Sequence, residues 1–283
     1  MKTRIISGIV VALVLIGAGC LMFTPVFDIV FCLLAGAATY EFLKVAGGKD
    51  KPLRVIAIVL GALFPAALVY LRQPWIIATI LFCIVVLYII LTLARHQDIS
   101  FSDTAISLYA TLVVPTGFAC ILLVSDFYKI FPGSIDKYES FFMTFTCIAA
   151  ALLNDVFAYF VGSAFGKHKM TPILSPHKSW EGAIGGVVLD MVAMMLFLLL
   201  FVKCFAKKAF FMPAWLYAVL VIVTAVLSIY GDLMASLIKR NYGVKDYSHL
   251  IPGHGGIMDR FDSVLLAAPT VFIVTDIFAH AAF

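Results

Sequence analysis

Between two long apolar runs, residues 230–262 read YGDLMASLIKRNYGVKDYSHLIPGHGGIMDRFD. The segment holds four aspartates (Asp232, Asp246, Asp259, Asp262), four cations (Lys239, Arg240, Lys245, Arg260) and two histidines (His249, His254). Carboxylates at a membrane boundary are costly unless a cation or metal pairs with them. Hard oxygen ligands of this kind suit Mg²⁺, which usually takes one or two protein carboxylates and completes its shell with water and substrate phosphates. Lys239, Arg240 and Arg260 can neutralise phosphate oxygens, arginine through a bidentate fork. Gly253, Gly255 and Gly256, beside His254, allow backbone N–H groups to approach an anion closely. Asp259 and Asp262, three apart, share a face if a ninth span begins there as a helix. The chemistry this implies is metal-assisted handling of phosphates. A juxtamembrane loop of salt bridges and headgroup contacts would explain any single cation, but not the whole constellation.

A second polar segment, Asn154 to Gly182, reads NDVFAYFVGSAFGKHKMTPILSPHKSWEG. Asp155 interrupts an apolar run, where an ionisable group marks a functional candidate. Asn154 and Tyr159 are placed to support it by hydrogen bonding. The loop that follows supplies Lys167, Lys169, His177 and Lys178, with hydroxyls at Ser175 and Ser179. Trp180 suits a membrane interface. Glu181 would open the next helix, where a carboxylate complements the helix dipole. Glu41, Asp190 and Asp276, in or near other apolar runs, read as packed polar contacts or helix-end groups. No GxxxxGK[ST] motif occurs, so a P-loop is unsupported.

These segments need a scaffold, and the composition says which kind. Of 283 residues, 63% are hydrophobic and 13% charged, with mean hydropathy +1.08. Soluble domains carry about 25% charged and about 45–50% apolar residues. The expected fold is therefore all-α, a polytopic membrane helix bundle of about nine transmembrane helices. It forms one catalytic domain over 1–283, with N-terminal helices in 1–135 and the catalytic half in 140–283. A span needs about 20 apolar residues, which places helices near 5–23, 27–46, 55–72, 75–94, 105–125, 140–162, 181–203, 213–236 and 262–281. The first run resembles a signal peptide but continues far enough to span, and is read as an uncleaved helix. Pro65 and Pro115 fall inside spans and should kink them. The six cysteines lie in or beside apolar runs without CxxC spacing, and support neither a zinc site nor a disulfide framework. The net charge of +4 is no nucleic-acid signal. With the N-terminus inside, fourteen lysines and arginines fall on inside segments and six on outside ones. The positive-inside rule thus favours N-in/C-out. Both polar loops, 163–180 and 237–261, then face the cytoplasm.

The residues so assembled resemble the phosphatidate cytidylyltransferase family, the CDP-diacylglycerol synthases. The family pattern S-x-x-K-R, K-D, P-G-H-G-G-x-x-D-R-x-D is met by Ser236, Lys239, Arg240, Lys245, Asp246, Pro252, Gly253, His254, Gly255, Gly256, Asp259, Arg260 and Asp262, with Gly231-Asp232-Leu233 before it. Upstream, Asp155, Ala158-Tyr159, Phe165-Gly166-Lys167, Ser175-Pro176, Lys178 and Trp180-Glu181-Gly182 also match. The chain departs from common family residues at Val156-Phe157, Ser163 and Ala235.

The resemblance implies transfer of a cytidylyl group from CTP to phosphatidic acid, giving CDP-diacylglycerol and pyrophosphate. It implies Mg²⁺, with two metal ions or an assisting monovalent cation allowed. Asp232 and Asp259 are the expected metal ligands, with Asp262 and Asp155 as further candidates. Lys239, Arg240 and Arg260 would bind phosphates, and His254 would orient a phosphate or ligand. Lys167, Lys178, Ser175, Ser236, Lys245, Asp246, Gly255 and Gly256 would serve the nucleotide or lipid headgroup. The expected setting is a bacterial inner membrane or its equivalent, with the bilayer as partner and a homodimer allowed. Two other readings stay open: a CTP-dependent polyprenol or phytol kinase, against which the HGGIMDRFD segment argues, and an ion-coupled transporter, which would carry its charges at mid-bilayer.

Overall fold

In hydrocarbon a backbone N–H or C=O finds no partner outside its own segment, so each apolar run closes on itself as a helix. The computed structural model describes residues 17, 19–47, 50–205, 209–251 and 255–283. Its helices are α1 (Pro25–Ala46), α2 (Lys51–Leu71), α3 (Pro74–Ala94), α4 (Phe101–Ser125), the short α5 (Phe127–Ile130), α6 (Lys137–Phe165), α7 (Trp180–Cys204), α8 (Ala214–Asn241), the short α9 (Met258–Phe261) and α10 (Val264–Ala282). Among the described residues, eight of these are long and apolar enough to cross a membrane. They correspond to the expected spans from the second to the ninth. The expected first span, 5–23, lies mostly outside the described residues.

Local chemistry sets the ends of these helices. Pro25, Pro52 and Pro74 occupy the first two helical positions, where a missing N–H costs nothing. Asp50 caps α2 by accepting from the Leu53 N–H at 2.8 Å, and Asp136 with Glu139 forms a reciprocal capping box on α6. Pro65 and Pro115 do lie inside helices.

The expected last span differs from the observed one. A helix running from Asp262 would have put Asp259 and Asp262 on one face. Instead α9 stops at Phe261, and α10 begins at Val264. The physical reason is local: the Ser263 N–H is taken by Asp262 Oδ1 at 2.8 Å. A side-chain acceptor competing for that amide interrupts the helical ladder.

The chain divides into two compact units, residues 1–122 with 241–261 and residues 123–240 with 262–283. The signature segment is thereby split between them. In the first unit α1 and α2 meet through small residues: a Cβ on Gly36 would lie 2.8 Å from Ala62 Cβ, and one on Gly61 2.7 Å from Thr39 Oγ1. Only Ile84 and Tyr88 of α3 are buried, leaving the rest of its surface for lipid. Phe42 of α1 stacks on Tyr109 and on Tyr247, with ring centroids 5.4 and 6.2 Å apart, and so pins the returning segment.

In the second unit α6 and α7 pack closely. A Cβ on Gly182 would lie 2.7 Å from Ala158 O, and one on Gly186 2.8 Å from Ala158 Cβ. Between these helices sits an antiparallel hairpin of β1 (Lys169–Thr171) and β2 (Ser175–Ser179), with Lys169 opposite Ser179 and Thr171 opposite Ser175.

Candidate active site

Three carboxylates of the second unit lie near enough to feel one another: Asp155 on α6, Asp232 on α8, and Asp262 in the turn before α10. Each has a different companion. Asp232 Oδ2 lies 2.5 Å from Lys178 Nζ, with both side chains about one-quarter exposed (25% and 23%). Asp155 Oδ2 accepts from Ser263 Oγ at 3.2 Å. Asp262 is buried, and its Oδ2 lies 3.9 Å from Lys239 Nζ. Burial pushes the Asp262 carboxyl well above its ordinary range, and the negative charge of Asp232 pushes the same way; Lys239 opposes them. Gly231 lets this turn come close, since a Cβ there would stand 2.6 Å from Asp262 O.

Asp155 and Asp232 line a cleft of about 210 Å³ together with Tyr159, His177 and Lys178. Whole-ligand pockets run to about 300–1,000 Å³. The cleft is smaller than that range.

The hairpin delivers Lys178 to this place. Ser179 caps α7 by accepting from the Gly182 N–H at 3.2 Å. Glu181, in the first turn of α7, accepts from the backbone N–H groups of Lys167 and His168 and lies 2.6 Å from His168 Nδ1. The strand that follows α6 is thus fixed to the start of α7, and β2 carries Lys178 toward Asp232. Ser175 lies half-buried in β2, while the Lys167 side chain is exposed. Asn154 was expected to support Asp155. It instead donates through Nδ2 to Ala225 O and Ser228 Oγ at 3.3 and 3.2 Å, tying α6 to α8.

In the first unit Asp259 is 8% exposed, and its Oδ2 accepts from the N–H groups of Tyr247 at 2.8 Å and Gly256 at 3.0 Å. The Gly256 amide, expected to face an anion, is directed to this carboxylate. Gly255 has φ +79°, a backbone shape that favours glycine, and a Cβ there would lie 2.8 Å from Asp259 Oδ2. Glu41 of α1 accepts from Ser248 Oγ and from the Met258 N–H. Lys245, Arg260 and, at the end of α8, Arg240 are exposed; Asp246 and Ser236 are half-buried. His254 lies outside the described residues.

Among the described residues, no three His, Cys, Asp or Glu side chains converge to hold a metal by themselves. Mg²⁺ asks for less, since one or two carboxylates suffice when phosphates and water complete the shell. The two cleft-lining aspartates meet that requirement by chemical type.

No local pattern marks Ser263 as the partner of Asp155, or Glu41 as the partner of residues more than 200 positions away. Asp190 is more demanding than a packed contact: it is fully buried in α7, and neither carboxylate oxygen has a hydrogen-bond partner among the described residues.

The eight helices of membrane-crossing length among the described residues define a polytopic membrane protein, and Asp155, Asp232 and Lys178 line a cleft within it. A family model described as the cytidylyltransferase family matches residues 2–278, and the chain belongs to that family. Similar proteins named phosphatidate cytidylyltransferase include one from Bacillus subtilis (strain 168), 29% identical over 290 residues, covering 99% of each chain. One from Rickettsia bellii (strain RML369-C) is 27% identical over 237 residues, covering 81% of this chain and 95% of the relative. One from Haemophilus influenzae (strain Rd) is 40% identical over 136 residues. That last match spans about half of each protein, 47% of this chain and 46% of the relative.

Proposed function

We propose that the protein transfers a cytidylyl group from CTP to phosphatidic acid, forming CDP-diacylglycerol and pyrophosphate. The observation that carries this reading is the cleft in which Asp155, Asp232 and Lys178 meet, in a chain of the cytidylyltransferase family. In the reaction an oxygen of the lipid phosphate attacks the α-phosphorus of CTP. The bond from that phosphorus to the bridging oxygen breaks, and pyrophosphate leaves with the electron pair. The lipid phosphate is already anionic near neutral pH, its second pKa being near about 6, so no strong base is required. The obstacle is repulsion between anions, which positioned cations relieve.

Lys178 is the lysine that lines the cleft, and Lys239 lies beside Asp262. Asp232 and Asp155, which line the cleft, would hold Mg²⁺, which would supply charge neutralisation for the triphosphate when bound; Asp259, the other ligand that the family resemblance implies, is a separate candidate that Asp259→Asn tests. Lys178 then exchanges Asp232 for a phosphate oxygen. Ser263 keeps Asp155 oriented. The bilayer supplies the lipid substrate. The charge count of the loops supports a cytoplasmic site, where CTP is available.

The test compares acceptors. Purified protein in detergent with CTP and Mg²⁺ should release pyrophosphate on addition of phosphatidic acid, one per CDP-lipid formed. Release of CDP on addition of an isoprenoid alcohol, with no pyrophosphate from phosphatidic acid, would favour the kinase reading.

A further inference from the structure

Glu41 belongs to a helix of membrane-crossing length and is 3% exposed. A buried carboxylate is expensive in such a place unless its oxygens are hydrogen-bonded. Both oxygens of Glu41 are used, and both on the same distant segment. Oε1 accepts from Ser248 Oγ at 2.6 Å, and Oε2 accepts from the Met258 N–H at 2.8 Å. These partners bracket the glycine turn of the signature. The backbone of Gly256 lies directly against the Glu41 carboxylate, so that a Cβ would collide with it.

The turn is held from its other side by Asp259, whose Oδ2 takes the N–H groups of Gly256 and Tyr247. Two amides of this turn, two residues apart, are thus shared out, Gly256 to Asp259 and Met258 to Glu41. Next to Glu41, Phe42 stacks on Tyr247. Holding α1 in place does not call for a carboxylate, since an apolar side chain at position 41 would pack without the desolvation cost. What a carboxylate adds is a fixed pair of acceptors for Ser248 and Met258.

We propose that Glu41 is a positioning residue for the reaction, a template that fixes Ser248 and the Gly256–Met258 backbone and with them the orientation of the Asp259 carboxylate. The inference rests on the cytidylyl-transfer reading for its chemical consequence, though not for its geometric one. Glu41 acts through the turn, without touching substrate.

The test uses Glu41→Gln and Ser248→Ala in the full-length protein in detergent or nanodiscs. Glutamine keeps the size; its Oε1 can accept from the Met258 N–H and its amide can donate to Ser248 Oγ, so both contacts survive without their charge. Losing the charge assistance of both bonds should lower kcat by about 10-fold or more. The Mg²⁺ concentration for half-maximal rate should rise about fivefold or more, while KM for CTP moves less than about threefold. Ser248→Ala removes only one of the two bonds and should shift the same quantities in the same direction by less. Hydrogen exchange gives a readout independent of substrate: in Glu41→Gln, amides of 246–259 should lose protection while those of α6 to α8 keep theirs. Unchanged exchange in 246–259 overturns the proposal whatever the substrates prove to be. So does a kcat per folded molecule and a Mg²⁺ requirement equal to those of the parent protein. A parent protein that forms no CDP-lipid overturns the reaction reading alone, and the exchange result then still decides the role of Glu41 in shaping the turn.

Discussion

Replacing Lys178 by methionine should move two measurable quantities in opposite directions. The Lys178 Nζ lies 2.5 Å from Asp232 Oδ2, and the pair is about one-quarter exposed. At an effective dielectric of about 20, unit charges some 4 Å apart attract by about 4 kcal/mol. Water reaching the pair screens much of this, and measured values for accessible pairs are about 0.2–1 kcal/mol. Taking about 1 kcal/mol, an incoming cation must displace an attraction worth about fivefold in affinity. Methionine fills similar space without charge, so Lys178→Met should tighten nucleotide-free binding of Mn²⁺, a spectroscopic stand-in for Mg²⁺, by about fivefold. The same change removes a cation from the reacting phosphates. Loss of one preorganised electrostatic contact typically costs about 10²- to 10³-fold in kcat. Titration of Mn²⁺ followed by electron paramagnetic resonance reads the first effect, and the rate of CDP-lipid formation reads the second. Weaker Mn²⁺ binding together with a normal rate would refute the idea that Lys178 occupies a cation site and then hands it over.

Other substitutions probe separate contacts. Asp232→Asn and Asp259→Asn should each abolish Mg²⁺-dependent CDP-lipid formation while leaving membrane insertion and elution on gel filtration unchanged; near-normal activity in either removes that residue from the metal assignment. Ser263→Ala deletes the hydroxyl that donates to Asp155 and should cost about 3- to 10-fold in rate, in line with a net hydrogen-bond value of about 0.5–1.5 kcal/mol. Asp190→Val removes a buried side chain whose carboxyl oxygens have no hydrogen-bond partner among the described residues, and should raise the thermal midpoint in detergent by removing desolvated polar atoms. Gly182→Val would press a branched side chain against Ala158 O and Gly162, and should lower that midpoint by separating α6 from α7.

Much of the architecture is legible because a bilayer imposes a length on every apolar run. The spans expected from 27–46 onward all appear, and proline marks three of their starts, at Pro25, Pro52 and Pro74. Asp155 and Asp232 stand out in sequence as charges beside apolar runs, and they do line one cleft with Lys178. The hairpin was not foreseen. Its strands are three and five residues long, too short for a period of two to register, and Pro172 and Pro176 interrupt the pattern. The break at Asp262–Ser263 was missed because it depends on where one carboxylate turns. Asp259 and Asp262 look alike in sequence, yet one caps a glycine turn and the other is buried beside Lys239. Glu41 carries no local signal, because its partners are separated from it by 207 and 217 positions and only folding brings them together.

The central claim is the identity of the group transferred, and labelled CTP tests it most directly. Purified protein is incubated with phosphatidic acid, Mg²⁺ and CTP carrying ³²P at either the α or the γ position, and the lipid phase is counted. Cytidylyl transfer predicts that the α label enters the lipid and the γ label leaves as pyrophosphate. Recovery of the γ label in lipid, with the α label left in soluble CDP, would contradict it.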